Sequence, residues 1–393
     1  MSINNSFDVR KKMSGMFFEC HVCRKPGVDN INAAYRLLSV TSDCKPMDQV
    51  FEAGFCHNCG CVVGAVDKKW WSNVNQIYEN YEIYDLSGGI EKVVFNHIDG
   101  VHKSRSDLLV GELLSLKNRE ENLDILDIGA GSGVFLQAIS KKYKNSNLYA
   151  QDLNDISLGK LENISGFRHL FVCDLTAIDQ KFSIISMVHV LEHVCHPIDF
   201  LEVVRSLLKD DGVLVINVPD IAQNPLDLPV YDHCTHFTKV SLEVVLKQAG
   251  FRLYYTSNKL IAKENVIIAT PDEFCAQGCT EPHPENHIFN NHMAYLNKIS
   301  EVASAHVFGK KFHVFGTASA SVWITNYAEQ WEGCFVDEDP NRQGKTLLGR
   351  RIVSPSSIED GHFVFVPFAH EQSNYIKKRL SSDTVTYVSS DDY

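Results

Sequence analysis

Long apolar runs are missing from this 393-residue chain. None reaches the roughly 18 residues that a bilayer-spanning helix requires, so no membrane span is expected. A basic surplus is missing as well: Lys and Arg total 37 against 49 Asp and Glu, a formal net charge of −12. That balance disfavours nucleic acid as a partner, because neutralising phosphates takes a basic face. It leaves room for a small anionic substrate held by a few local donors. The stretch from Met1 to Lys12 is polar and has no apolar signal core, which points to the cytoplasm. Internal repeats and low-complexity segments are absent. What is present is an ordinary soluble composition, 44% hydrophobic and 22% charged, in a chain too long for one typical core.

Twelve cysteines in a cytosolic chain read as metal ligands plus buried thiols rather than as disulfides. Cys20-x2-Cys23 and Cys56-x2-Cys59 form two knuckles separated by 32 residues. Thiolates suit tetrahedral Zn²⁺, and each C-x2-C turn lets two sulfurs meet one ion. Four thiolates close the shell, so the expected zinc is structural, with Cys44 and Cys61 to spare. A loop-rich, metal-stapled module over residues 1–85 follows.

From Asp124 the pattern changes to short apolar runs alternating with helical stretches. The runs Ile125–Ile128, Leu148–Ala150, Phe171–Val172, Phe182–Val188 and Val213–Val218 read as buried parallel strands. Val134–Lys142 and Ile198–Leu208 have helical spacing. The alternation implies a doubly wound α/β sheet over residues 86–270. After a polar stretch from Thr270 to His287, a helix is expected over about Asn290–His306. Then βαβ patterning restarts at His313–Phe315, Ser319–Ala328, Cys334–Val336 and Phe363–Pro367, a Rossmann-like domain over residues 271–393.

The sharpest motif is Leu126-Asp127-Ile128-Gly129-Ala130-Gly131-Ser132-Gly133, where a strand ends and a helix begins. Its glycines permit a tight turn and close backbone approach to a ligand, and Asp127 can accept from a ligand ammonium. Dinucleotide enzymes use a similar loop, and Asp152 after the second strand would bind ribose hydroxyls in either case. Asp174, after the third strand, suits an adenine amino group. Leu153 and Leu175 follow these two acids, and the fourth strand runs into Val188-His189-Val190-Leu191-Glu192-His193-Val194. As a set these resemble class I S-adenosylmethionine (SAM) dependent methyltransferases. The resemblance implies cofactor contacts at Asp127, Gly129, Gly131, Gly133, Asp152, Leu153, Asp174, Leu175 and His189.

After the fifth strand comes Pro229-Val230-Tyr231-Asp232-His233-Cys234-Thr235-His236-Phe237-Thr238, at the sheet edge where open α/β folds bind ligands. Tyr, Asp and two His within six residues can supply a general base and an orienting carboxylate. Further on, Phe315-Gly316-Thr317-Ala318-Ser319-Ala320 and Val336-Asp337-Glu338-Asp339-Pro340-Asn341-Arg342-Gln343-Gly344-Lys345 complete an arrangement that resembles the deoxysugar C-methyltransferases. The likeness spans nearly the whole chain.

That family joins a four-cysteine zinc domain, a SAM domain and a C-terminal Rossmann-like domain, with the substrate site at the interface of the last two. Its substrates are nucleotide-linked keto-deoxysugars. The resemblance implies His233 as the base that forms an enolate, Asp232 as its orienting group or a substrate contact, and His193 as a further catalytic residue. Tyr231 would compensate for a displaced family tyrosine. One of Tyr78, Tyr81 and Tyr84, with Tyr81 favoured, would contact the sugar. Two other readings stay open: an O-methyltransferase acting on a sugar or glycan hydroxyl, and a zinc-containing adaptor with an inactive SAM fold.

Overall fold

The computed structural model describes residues 18–30, 37–50, 52–79, 93–95, 102–116, 122–272, 286–328 and 330–393. Short strands dominate its start: β1 (Phe18–Glu19), β2 (Pro26–Asn30), β3 (Leu38–Val40), β4 (Pro46–Val50), β5 (Ala53–Cys56) and β6 (Val62–Gly64). They lead into helix α1 (Lys68–Glu79), which buries Trp70 and Val74. A hairpin, β7 (Val93–Phe95) with β8 (His102–Ser104), then enters α2 (Arg105–Leu113). Ser104 caps α2 by accepting from the Asp107 N–H.

The central unit runs β9 (Asp124–Ile128), α3 (Val134–Ser140), β10 (Asn147–Gln151), α4 (Leu158–Leu161), β11 (Phe167–Phe171), β12 (Phe182–Val188), α5 (Pro197–Leu207), β13 (Leu208–Pro219), β14 (Thr235–His236), α6 (Lys239–Gln248), β15 (Phe251–Ser257) and β16 (Glu264–Pro271). Seven of these strands form one sheet in the order β11-β10-β9-β12-β13-β16-β15. All are parallel except β16, which pairs antiparallel with both neighbours. Strand β9 lies at the point where the chain reverses direction across the sheet, so its C-terminal loop opens into the crevice where such folds bind ligands. β9 and β12 are buried along nearly their whole length, as strands covered on both faces are, and Asp127 of β9 and Ser186 of β12 are polar residues inside them. The expected third strand falls earlier than its apolar residues suggest. β11 is an edge strand with exposed Arg168 and His169, so its hydrophobic signal is thin.

The remaining residues form α7 (Asn286–His306), β17 (Phe312–Phe315), α8 (Ser319–Thr325), β18 (Phe335–Val336), β19 (Thr346–Leu347), β20 (Arg350–Val353), β21 (Phe363–Phe365), α9 (His370–Leu380) and β22 (Thr386–Val388). Five of the strands, β20-β18-β17-β21-β22, are mutually parallel, and β19 adds an antiparallel edge. Among the described residues no helix is long and apolar enough to cross a membrane.

The N-terminal module is not a separate bead. Its sheet, β1-β2-β5-β6, is completed by β14 from the central unit, with Thr235 opposite Val63 and His236 opposite Val62. One apolar cluster joins Cys20, Cys56 and Cys59 to Leu191, Phe237 and Leu242 of the central unit. Another joins Val40 and Phe55 to Leu226 and Leu228, and to Phe289, Met293 and Leu296 of α7. Fully burying each Val, Leu, Phe or Met side chain among these contributes about 1.5–3 kcal/mol.

Candidate active site

The glycine loop leaves β9 with Gly129, Gly131 and Gly133 all at positive φ. A side chain at Gly129 would strike Val190, and one at Gly133 would strike Leu161 and Ile164. Gly131 differs. A Cβ there meets nothing within 4 Å, so the loop faces open space that a ligand can enter. Asp152 ties the loop to the end of β10: its carboxylate accepts from the Gly131 N–H at 2.8 Å and from the Leu153 N–H at 2.7 Å. Leu153 and Asp174 are exposed beside it, and Leu175 is buried. Asp127 is buried and accepts from the Ser186 hydroxyl at 2.6 Å. Burial, reinforced by the charge of Asp152 and only partly offset by Ser186, pushes its carboxyl up to about 7. Open space over a glycine cradle, two acids at successive strand ends and a carboxyl awaiting a cation fit SAM.

At the end of β12, His189 adopts a left-handed backbone (φ 56°), a strained conformation for a residue with a side chain. Its Nδ1 lies 2.9 Å from Glu192, and its Nε2 lies 3.5 Å from Glu264, which also takes a bidentate pair from Arg105. Burial and the Arg105 charge oppose ionisation of His189, but Glu264 and Glu192 outweigh them and push it up to about 9.

The next turn carries His193, whose ring centroid is 4.6 Å from that of His233 in an edge-on arrangement. His193 Nδ1 lies 3.0 Å from the Asp232 carbonyl, 3.4 Å from its carboxylate and 2.9 Å from the Tyr78 hydroxyl. Two oxygen acceptors at Nδ1 favour the Nδ1–H tautomer and leave Nε2 basic. Burial and the neighbouring His233 charge hold His193 below the usual histidine range, although Asp232 and Glu192 oppose this.

His233 is the opposite case. Its Nδ1 donates to Asp227 at 2.9 Å. Burial opposes its charge, but Asp227, with Glu192 and Asp232 beyond, pushes it up to about 9. The surroundings of His233 therefore do not leave it the ordinary titration of a free histidine near neutrality. Nor is Asp232 the group that holds it. The fully buried Asp232 carboxylate accepts from the Ser42 N–H at 2.8 Å and the Ser42 hydroxyl at 2.5 Å, and orients His193 instead.

Tyr231 faces away along α1: its hydroxyl accepts from Asn73, its carbonyl accepts from Trp70 Nε1, and its N–H donates to Val40. Tyr81 and Tyr84 lie outside the described residues. Tyr78, the described member of that group, reaches the His193 imidazole.

The four Sγ atoms of Cys20, Cys23, Cys56 and Cys59 lie within 4.8 Å of one another, with Cys20–Cys59 at 3.8 Å and Cys23–Cys56 at 3.7 Å. Four sulfurs ~2.3 Å from a shared zinc ion stand ~3.8 Å apart at tetrahedral angles, so the group fits the ion. Each knuckle closes through a backbone bond, from Arg24 N–H to the Cys20 carbonyl and from Gly60 N–H to the Cys56 carbonyl.

Residues 103–256 match the family model of a methyltransferase domain. The central sheet has the class I SAM-dependent methyltransferase fold, and this part of the chain is similar to a methyltransferase domain. Remote structural likenesses include a SAM-dependent methyltransferase from Aquifex aeolicus (17% identity, 50% of this chain, 97% of the other, TM-score 0.37). They also include the Burkholderia thailandensis 1,6-didemethyltoxoflavin N1-methyltransferase (15% identity, 54% and 96%, TM-score 0.37). A third is a SAM-dependent methyltransferase from Clostridium acetobutylicum (14% identity, 51% and 99%, TM-score 0.37). Among curated proteins no relative matches the chain.

Sequence reading missed Asp227, Ser42 and Glu264. Asp227 stands six residues before His233, a spacing with no meaning on a helix or a strand. The one available signal was an acid inside the apolar run Leu226-Asp227-Leu228.

Proposed function

We propose that the chain transfers a methyl group from SAM to a carbon next to the ketone of a nucleotide-linked deoxysugar, with His193 and His233 as an acid–base pair. The observation that carries the reading is this pair of adjacent imidazoles, His233 buried and His193 partly exposed, whose surroundings push their titrations apart, at the sheet edge that also holds the glycine loop. Neighbouring groups of unlike protonation are what enolisation needs.

Asp127, Asp152 and Asp174 would hold SAM over the glycines. SAM supplies the electrophilic methyl group when bound. His193 Nε2 takes the proton from the substrate carbon, and the C–H electron pair moves into the enolate. The Nε2–H of imidazolium His233 stabilises the charge arriving on the enolate oxygen. Tyr78 and Asp232 orient His193. The base role expected of His233 from sequence thus passes to His193 in this reading, because a group titrating near 9 is protonated at neutral pH. The four thiolates would hold zinc as structure, and helix α7, which precedes the C-terminal parallel sheet (a Rossmann-like domain in this reading), covers the far side of the Asp227 turn.

The test uses a nucleotide-linked 4-keto-6-deoxysugar in deuterated solvent. Without SAM, deuterium enters the carbon beside the ketone; with SAM, the product gains one carbon-bound methyl group. Methylation of a hydroxyl on a sugar lacking a ketone, with no exchange, would establish O-methylation instead. SAM binding without any turnover would leave a non-catalytic fold.

A further inference from the structure

Asp227 is a charged side chain where an apolar one would pack. It ends the turn Pro225–Asp227, between Leu226 and Leu228, both buried against Phe289, Met293 and Leu296 of α7. Its own side chain is 5% exposed. Its backbone is bound on both sides, N–H to the Asn224 carbonyl and carbonyl from the Val230 N–H. Burying a carboxylate costs several kcal/mol, and an apolar replacement for a buried pair is often as stable or more so. Stability is therefore a poor reason for an acid at this position.

Its two oxygens take two different imidazoles. Oδ1 accepts from His233 Nδ1 at 2.9 Å, and Oδ2 accepts from His236 Nδ1 at 2.7 Å. A carboxylate only accepts, so both rings carry their proton on Nδ1. His233 is thereby left with Nε2 as the atom to offer a substrate. His236 sits in β14, the strand that completes the N-terminal sheet, so the same carboxylate links the turn seated on α7 to the cysteine module. The charged and titratable groups around His233 are Asp227 on its turn, Glu192 and His193 on the turn after β12, Asp232 in its own loop and His236 on β14.

We infer that Asp227 is the positioning residue of the site: it fixes the tautomer, ring orientation and charge of His233, while Asp232 serves His193. The inference rests on the reading of the two histidines as an acid–base pair. It assigns each histidine its own acid, from different loops.

The test is imidazole NMR on the full zinc-loaded chain, with the His233 signals identified through His233→Gln. In the wild type His233 carries a proton on Nδ1 at every pH where the protein is folded and titrates near 9. In Asp227→Asn its titration falls by about two units, back to the ordinary histidine range or below. Asp227→Glu, which keeps the charge, restores a raised value in part. SAM affinity, read by calorimetry, stays within about threefold in both variants, since the glycine loop lies elsewhere. On the keto-sugar, Asp227→Asn lowers kcat by about 10²–10⁴-fold with little change in KM, as loss of the acid behind a catalytic histidine does elsewhere. The alkaline limb of its pH profile moves down with the NMR titration.

An unmoved His233 titration in folded, SAM-binding Asp227→Asn would overturn the assignment. If that variant fails to fold, a wild-type His233 found as the neutral Nε2–H tautomer at pH 7 would overturn it equally. Absence of turnover by the wild type would count against the proposed substrate, not against Asp227, whose NMR signature needs no substrate.

Discussion

Asp127 and the two central histidines carry predictions that belong to single residues. A carboxyl pushed up to about 7 is half protonated near neutrality, and a bound ammonium would favour its ionised form. SAM binding should therefore release protons near pH 7 and weaken as pH falls below it. Calorimetry in buffers of different ionisation enthalpy reads this directly, and the release should vanish in Asp127→Asn. In the proposed mechanism, His193 must be neutral and His233 protonated. His193 lies below the usual range, so activity falls only on the acid side of about 6.5; His233 titrates near 9, so activity is lost as pH rises through 9. The profile of kcat/KM should be a broad bell. His193→Ala and His233→Ala should each lower turnover about 10²–10⁴-fold. Tyr78→Phe, which removes one hydrogen bond of about 0.5–1.5 kcal/mol, should cost about tenfold or less. A bell whose alkaline limb survives in His233→Gln would return that limb to another group.

At the scale of elements, the segment from Pro229 to His236 is a clamped loop. The Val40 N–H donates to the Pro229 carbonyl, the Tyr231 N–H to the Val40 carbonyl and the Gly64 N–H to the Cys234 carbonyl, and β14 pairs with β6. Every one of these partners belongs to the cysteine module. Zinc removal by a chelator, or Cys56→Ser, should loosen β5 and β6 and with them the loop that carries Asp232, His233 and His236. Turnover should fall further than SAM affinity, because Asp127, Asp152 and the glycines sit on β9, β10 and their loops, which the module does not pair with. Equal losses in both, measured on protein that keeps its central sheet by circular dichroism, would show that the module only supports global stability. Asp232→Asn tests the same clamp from the other side: it keeps the Ser42 contacts in part and should disturb His193 more than His233.

For the whole molecule, the His233–Asp227 pair links stability to pH. His233 is raised above its unfolded value, so its contribution is complete below about 6.5 and is lost as pH rises through 9. Asp227, held far below the ordinary carboxylate range by His233 and His236 against the cost of burial, contributes above about pH 4 and loses that contribution as pH falls below it. Thermal midpoints of wild type compared with His233→Gln should differ most between pH 4 and 6.5 and converge above pH 9. A constant difference across that range would disprove the linkage. The sequence alone determined the local features of this protein. The positions of β9, β10, β12 and β13, the glycine turn, the acids after successive strands and the four cysteines were legible because each depends on near neighbours: periodicity, backbone freedom and ligand spacing. The partners of the two histidines were decided only by tertiary structure. Asp227, Ser42 and Tyr78 come from separate stretches of chain, and Asp232, although next to His233, points its carboxylate toward Ser42 and His193. Adjacent residues in an irregular loop have no fixed relative direction. It took β14 entering the N-terminal sheet, and the Asp227 turn settling on α7, to decide which acid faces which ring and hence which histidine holds its proton.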